Sequence, residues 1–378
     1  MLAALFTLPV AGTAINLSDQ HLHPRGIATA IILLAVDRTL GRRLWQAVML
    51  LFLALLFHPI MAVFGFSFCS FLGLALSDSF YKRFSSDFSK RQSNSLAAAV
   101  PLGWIFEPPT PAWRRALETR TYYFLFRWTW YEWLGALAPI ALFWLLRRYA
   151  LTRKQDLLSR FALGLLLYAI FQQALAVVLL TPAALIRAMP LQPMRYLHLV
   201  YIFMTVIAGC LLGRHVLGSS IWRWAVFLIA VNSGMFAFQR ALFAGTEHLE
   251  LPGLQSNNPW LQAFEWTRQN TPRDAYFALD PDYLASPHED YHSFRALAER
   301  SQLADAIKDA AVVTQVPELG SKWVAQLDAQ SGWNSFRLAD FQRLESQFGV
   351  DWVLVSYPQP QGLICRWHNQ RLAVCPIP

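Results

Sequence analysis

WYEWLGALAPIALFWLL (130–146), FALGLLLYAIFQQALAVVLLT (161–181), LHLVYIFMTVIAGCLLG (197–213) and IWRWAVFLIAVNSGMFAFQRALF (221–243) follow one another with only short breaks. Each is about as long as a helix must be to cross a hydrocarbon core at ~1.5 Å rise per residue. No soluble core demands so many consecutive apolar runs of that size, so the chain reads as a polytopic membrane protein. Composition agrees: 55% of the 378 residues are hydrophobic and 15% charged, against a soluble norm of about 25% charged. From about Glu247 the sequence turns polar and acidic, which predicts a helical transmembrane domain over 1–244 and a soluble α/β domain over 245–378.

The net charge of +8 does not indicate nucleic-acid binding, because the basic residues cluster beside apolar segments, where membrane topology places them. Arg147, Arg148, Arg153, Lys154 and Arg160 flank one loop and Arg214, His215 and Arg223 another; both read as cytoplasmic. The intervening loop Thr181–Arg195, with two arginines and three prolines, reads as external. The span 221–243 then runs outward and leaves the C-terminal domain extracytoplasmic.

Working back toward the N-terminus, the apolar stretch Leu2–Ile15 contains Pro9 and Gly12 and is expected to be a first span or its remnant. Ile27–Val36, a basic break at Arg38–Arg43, Leu44–Phe57 and Ile60–Leu76 follow, bringing the expected total to about seven to nine spans. Residues 77–128 allow two readings. Lys82, Arg83, Lys90 and Arg91 are cytoplasmic and Leu96–Phe106 crosses, or 60–76 re-enters and the whole stretch is external. Trp and Tyr are dense from Trp113 to Trp133, which predicts an amphipathic interfacial helix over 113–128.

In the tail, helices are expected at 259–269, 294–301, 303–309 and 338–348, the last closed by Gly349. Strands are expected at 275–279 and 351–356, with a hairpin over 363–375. Cys365 and Cys375 flank that hairpin and are placed to bridge in an oxidising compartment. Cys69 and Cys210 lie in apolar runs and read as packing residues.

The cluster Asp19-Gln-His21-Leu-His23, on the first expected external loop, offers a carboxylate and two imidazoles for general base chemistry at the membrane surface. The same spacing is compatible with a divalent metal, although the set is small. An N-cap aspartate with interfacial histidines accounts for the residues equally well. His58-Pro59 reads as a turn ending a helix. Glu132, at a span boundary, is a substrate-binding candidate whose simpler role is pairing with Arg127. Arg187 and Arg195 stand on an external loop, and Arg195, at the mouth of the 197–213 span, is the candidate phosphate ligand. Asp280-Pro-Asp282 and His288-Glu-Asp290-Tyr-His292 read as a solvated loop after a strand. The sequence contains no Walker A motif, G-x-G-x-x-G, G-x-S-x-G or H-E-x-x-H.

The order of these pieces resembles the GT-C superfamily of polytopic glycosyltransferases: an acidic first external loop, a short helix, a Gly41-Arg42-Arg43 break, a short helix ending at Pro59, further spans, then a tail opening Trp266-Thr-Arg-Gln-Asn-Thr-Pro-Arg-Asp-Ala275. The resemblance implies transfer of a sugar from a polyprenyl-phosphate carrier at the outer face of a bacterial inner membrane, with a first-loop acid as base. Only Asp19 matches that acid; Gln20 stands where many members have a second. On this reading Asp19 is the base, His21 or His23 a helper or metal ligand, and Arg195 the holder of donor phosphate. Membrane lipids are then partners, and nucleic acid is not. The alternative is a non-catalytic membrane protein whose external domain binds a partner or a glycan.

Overall fold

The computed structural model describes residues 9–17, 23–85, 108–242, 244, 257–285 and 293–378. The chain forms two compact units, one of Met1–Pro108 with Thr121–Ser233 and one of Pro109–Arg120 with Gly234–Pro378.

In the first unit, α1 (Pro24–Leu40), α2 (Leu44–Phe57) and α3 (Pro59–Leu76) pack on one another. Two of these helices start with the same device. His23 and His58 are N-caps whose side chains accept a backbone N–H, and Pro24 and Pro59 occupy the first helical position, where a missing N–H costs nothing. Gly65 lets the three helices close up: a Cβ there would sit 2.9 Å from Ile32 Cγ1 and 3.0 Å from Leu51 Cδ2. A short helix α4 (Asp78–Ser85) follows α3.

The hairpin of α6 (Trp130–Thr152) and α7 (Asp156–Leu180) then lays α7 along α3. Short 3-10 turns lead from α7 into α8 (Leu197–Leu212), a π-turn (Gly213–Leu217) ends it, and α9 (Ile221–Leu242) follows.

One end of this bundle is pinned by Arg160. Its guanidinium donates to the Leu76 carbonyl at 3.1 Å and pairs with Asp78 and Asp156 at 2.7 and 2.8 Å. Arg42 reaches the same carbonyl at 3.2 Å. The turns after α1, α3 and α6 therefore share that end, and they carry Arg38, Arg42, Arg43, Arg153 and Lys154.

Five helical stretches are long and apolar enough to cross a membrane: Pro59–Leu76, Trp130–Thr152, Asp156–Leu180, Pro193–Leu217 and Ile221–Ala241. Their outward side chains are apolar and exposed, Trp130 (77%), Val226 (64%) and Ile221 (78%) among them, as lipid-facing surfaces require. The protein is a multi-helix membrane protein.

Three local expectations are corrected. The described part of the expected span Leu2–Ile15 is not helical: residues 9–16 form a tight hairpin, with a Pro9–Asn16 bridge and Val10 N–H donating to the Ile15 carbonyl at 2.9 Å, while residues 2–8 lie outside the described residues. Pro9 and Gly12 break helical continuity there, and Gly12 packs so closely under Trp128 that a Cβ would lie 2.7 Å from its ring. Next, α3 is one unbroken helix from His58 to the Arg160 end, so 60–76 does not re-enter. Helix α4 stays at the Arg160 end, where the Tyr81 and Ser159 hydroxyls lie 2.8 Å apart, and Pro108 lies at the opposite end, its carbonyl accepting from Arg187 at 3.0 Å. The expected crossing Leu96–Phe106 itself lies outside the described residues.

Third, there is no interfacial helix over 113–128. Helix α5 (Pro111–Glu118) stops at Glu118 and is built into the second unit, where it packs on α12 (Lys308–Gln315) and α13 (Gly320–Ala329). Its buried face is Trp113, Ala116 and Leu117, and Trp113 Nε1 donates to the Thr314 carbonyl at 3.2 Å. The amphipathic pattern was read correctly, but its apolar stripe faces protein rather than lipid.

The second unit is a five-stranded sheet in the order β2 (Ser301–Gln302), β1 (Tyr276–Leu279), β3 (Trp352–Ser356), β5 (Leu372–Pro376), β4 (Trp367–His368). β2, β1 and β3 are parallel, and β5 and β4 run antiparallel. Both faces are covered, so its main strands alternate between two apolar sets. Phe277, Leu279, Trp352 and Leu354 meet Phe264 of α10 (Pro259–Asn270) and Phe294 of α11 (Phe294–Leu297). Ala278, Val353 and Val355 meet Phe341 and Leu344 of α14 (Leu338–Phe348).

Helix 294–301 is thus cut short at Leu297, because Glu299 takes a positive φ of 52° and Ser301 joins the sheet; 303–309 is mostly loop before α12. Arg300 is buried against the turn at the end of α10, donating to the carbonyls of Arg268 (2.8 Å) and Thr271 (2.6 Å). That clasp is the physical content of the Asn270-Thr-Pro272 signature. Cys365 and Cys375 are joined by a disulfide across the β4–β5 hairpin.

Candidate functional site

At the end of the first unit opposite Arg160, the N-termini of α1 and α3 and the turn leading into α8 come together. They bring His23, Arg25, His58 and Arg195 into one neighbourhood. The His23 and His58 rings lie 6.2 Å apart. Met61 N–H donates to His58 Nδ1 at 3.3 Å and Arg25 N–H to His23 Nδ1 at 3.1 Å. A nitrogen that accepts carries no proton, so each neutral ring holds its hydrogen on Nε2 and can donate from there.

His58 sits in the turn between α2 and α3. Burial first, then the charges of Arg195 and Arg25 and the adjacent His23, hold its pKa down at about 4 from an ordinary 6.5. The site therefore concentrates positive potential: two guanidiniums, two imidazole donors and the positive ends of helix dipoles. Such a place suits an anion.

Polar groups continue inward from it. Tyr196 donates to Gln173 Oε1 at 2.7 Å, and Gln172 Nε2 to Ser67 Oγ at 2.8 Å. Gln172, Gln173 and Tyr168 are buried, yet Gln172 Oε1, Gln173 Nε2 and the Tyr168 hydroxyl have no hydrogen-bond partner among the described residues. Buried polar atoms are normally satisfied, so this stretch of α7 is built to meet something polar. His198 Nε2 is 3.0 Å from the Leu17 carbonyl, which holds Leu17 at this end.

The sequence candidates distribute as follows. His23 and Arg195 are brought together. Asp19 and His21 lie outside the described residues. Glu132 forms a capping box, its carboxylate accepting from Thr129 N–H at 2.7 Å and Thr129 Oγ at 2.9 Å, while Arg127 lies over the Phe124 ring instead of pairing with it. Among the described residues no three His, Cys, Asp or Glu side chains gather as a metal site would require.

Arg25, His58 and His198 were missed as a group, although His58 was correctly read as a turn residue. The Gln172-Gln173 pair inside an otherwise apolar span was the available signal.

The second unit has a polar cavity of its own, about 460 Å³, lined by Asp280, Asp282, Arg115, Gln330 and Asn334 among others. It opens at the carboxyl end of β1. The chain leaves β1 toward β2 and leaves β3 toward β4 at the other edge of the sheet, so the two depart in opposite directions, the place where open α/β sheets form crevices. Burial raises the Asp280 carboxyl above its ordinary range. His288–His292 lies outside the described residues. Compared with known protein families and with curated proteins, the sequence matches none.

Proposed function

We propose that this is an inner-membrane protein of GT-C-like architecture that transfers a sugar from a polyprenyl-phosphate carrier at the extracytoplasmic face. The observation that carries the reading is the convergence of Arg25, Arg195, His23 and His58 over helix N-termini, a cradle for a lipid-borne phosphate. In the reaction the acceptor hydroxyl attacks the anomeric carbon and the bond from that carbon to phosphate oxygen breaks. The hydroxyl proton goes to Asp19, and the carrier phosphate leaves with an added negative charge. Arg25 and Arg195 would stabilise that growing charge, the usual largest source of catalysis.

Topology supports the same reading. The turns at the Arg160 end are rich in Lys and Arg and read as cytoplasmic, which leaves the histidine end outside. Pro108, whose carbonyl accepts from Arg187, lies at that outer end. The disulfide fits an oxidising compartment. Counting α1 and α2 with the five longer helices gives seven spans among the described residues, the short pair requiring tilt or a thinned bilayer, and an extracytoplasmic C-terminal unit then requires an eighth crossing between α4 and α5.

The test measures polyprenyl phosphate binding to purified full-length protein and, in membranes containing the protein, sugar transfer from the polyprenyl-phosphate-linked donor to endogenous acceptors. Arg195→Gln should weaken carrier binding by about 10- to 150-fold, since a hydrogen bond to a charged group contributes about 1.5–3 kcal/mol. Asp19→Asn should bind the carrier normally yet form no product. Carrier binding that ignores Arg195, or transfer that survives Asp19→Asn, sinks the respective assignment. A second reading, a non-catalytic glycan-binding protein, is favoured by the polar cavity at Asp280; it predicts glycan binding that persists without any transfer.

A further inference from the structure

At the Arg160 end, far from the histidine cluster, α6 and α8 diverge around a cavity of about 780 Å³. Its walls are Leu142, Phe143, Leu146, Met204, Ala208 and Leu211, and its end is closed by Tyr149, Arg153 and His215. Leu142 is 47% exposed and Leu145 53%, so the groove opens sideways along the outer surface of the bundle. From Leu142 to Arg153 it follows α6 for roughly 16 Å, given ~1.5 Å per residue. That is about half of a ~30 Å hydrocarbon core, the depth of one leaflet.

Charge decides the occupant. Arg153 rests over the Tyr149 ring at 5.7 Å, and among the described residues no carboxylate pairs with Arg153, Lys154, Arg214 or His215. A chain-wide apolar slot one leaflet deep, ending in cations that no described carboxylate pairs with, matches a phospholipid with an anionic head, as basic pockets between membrane helices do generally. The π-turn Gly213–Leu217 widens α8 where His215 meets the rim.

We infer that the α6–α8 groove is a specific anionic-phospholipid site, one acyl chain lying along Leu142–Leu146 and Ala208 and the head phosphate held by Arg153 and His215. This goes beyond glycosyl transfer and does not depend on it, because the two sites lie at opposite ends of the bundle.

The experiment is native mass spectrometry of the delipidated full-length protein titrated with phosphatidylglycerol, phosphatidylcholine or soluble glycerol phosphate. We expect tight phosphatidylglycerol adducts, phosphatidylcholine binding at least tenfold weaker, and no binding of glycerol phosphate, which lacks the chain. Arg153→Gln with His215→Gln should weaken phosphatidylglycerol at least tenfold. Ala208→Phe, a change at an exposed position that fills the slot without touching the cations, should do the same. Equal affinity for the two phospholipids, or variants that bind like the parent, overturns the inference. So would dimers that survive delipidation and dissociate in Ala208→Phe, since the groove would then hold a second copy. Polyprenyl-phosphate binding, measured in the same variants, should be unchanged and reports separately on the other site.

Discussion

Mild acid should destabilise this protein through His58, and the effect can be isolated. In the unfolded chain His58 takes up a proton as pH falls through 6.5, whereas in the folded protein it resists until about 4. The unfolded state thus binds more protons across that window, and stability falls as pH drops from 6.5 toward 4, with no contribution above about 7. The full difference corresponds to about 3 kcal/mol. The ring is only half-buried, so solvent screening reduces this to roughly 1–2 kcal/mol.

His58→Asn keeps an acceptor for the Met61 N–H, as good N-caps do, and removes the titration. Thermal unfolding of the detergent-solubilised full chain should therefore lose about 2–4 °C more in the parent than in His58→Asn between pH 7 and pH 5. The other eight of the nine histidines titrate in both proteins and cancel. Identical pH slopes, or an NMR titration of His58 near 6.5, would refute the electrostatic cluster itself, because Arg195 and Arg25 could not then be acting on that ring.

Three further outcomes follow from the structure. Arg300→Leu strands the Arg268 and Thr271 carbonyls it now satisfies and should cost the second unit about 3–5 kcal/mol, seen as faster hydrogen exchange in β1 and α10; unchanged protection would make the clasp incidental. Opening the Cys365–Cys375 bridge, which spans ten residues, should cost about 2–3 kcal/mol by loop entropy; a dithiothreitol-insensitive melting curve would contradict it. Single cysteines at Lys154 and Gln361, with Cys69 and Cys210 replaced by serine, should label from opposite sides of the membrane. Labelling of both from one side would invert the proposed topology.

The long spans were legible because length and hydropathy are local properties, and α6 to α9 appear close to where the runs 130–243 placed them. The strands 276–279 and 352–356 were legible for the same reason. What failed depended on partners far along the chain. Nothing near Trp113 says whether its apolar stripe faces lipid or α12 and α13. Nothing near His58 says that residues 23, 25 and 195 surround it, since the meeting is made by α1–α3 packing at Gly65 and by the turn before α8. The apolar hairpin at residues 9–16 mimicked a span because composition was read without weighing Pro9 and Gly12 heavily enough. Asp19 and Arg195 were candidates on chemistry alone, and only Arg195 can be placed.

Building α5 into the soluble unit has a consequence for biogenesis. Trp113 and Thr314, which it binds, are 201 residues apart. At roughly 5–20 residues per second of translation, α5 leaves the ribosome about 10–40 s before its partners exist. During that interval its Trp113–Leu117 face has no protein to cover it. A holdase or the bilayer surface must shelter it, and a chain truncated before α12 would leave it permanently uncovered, marking the fragment for proteolysis.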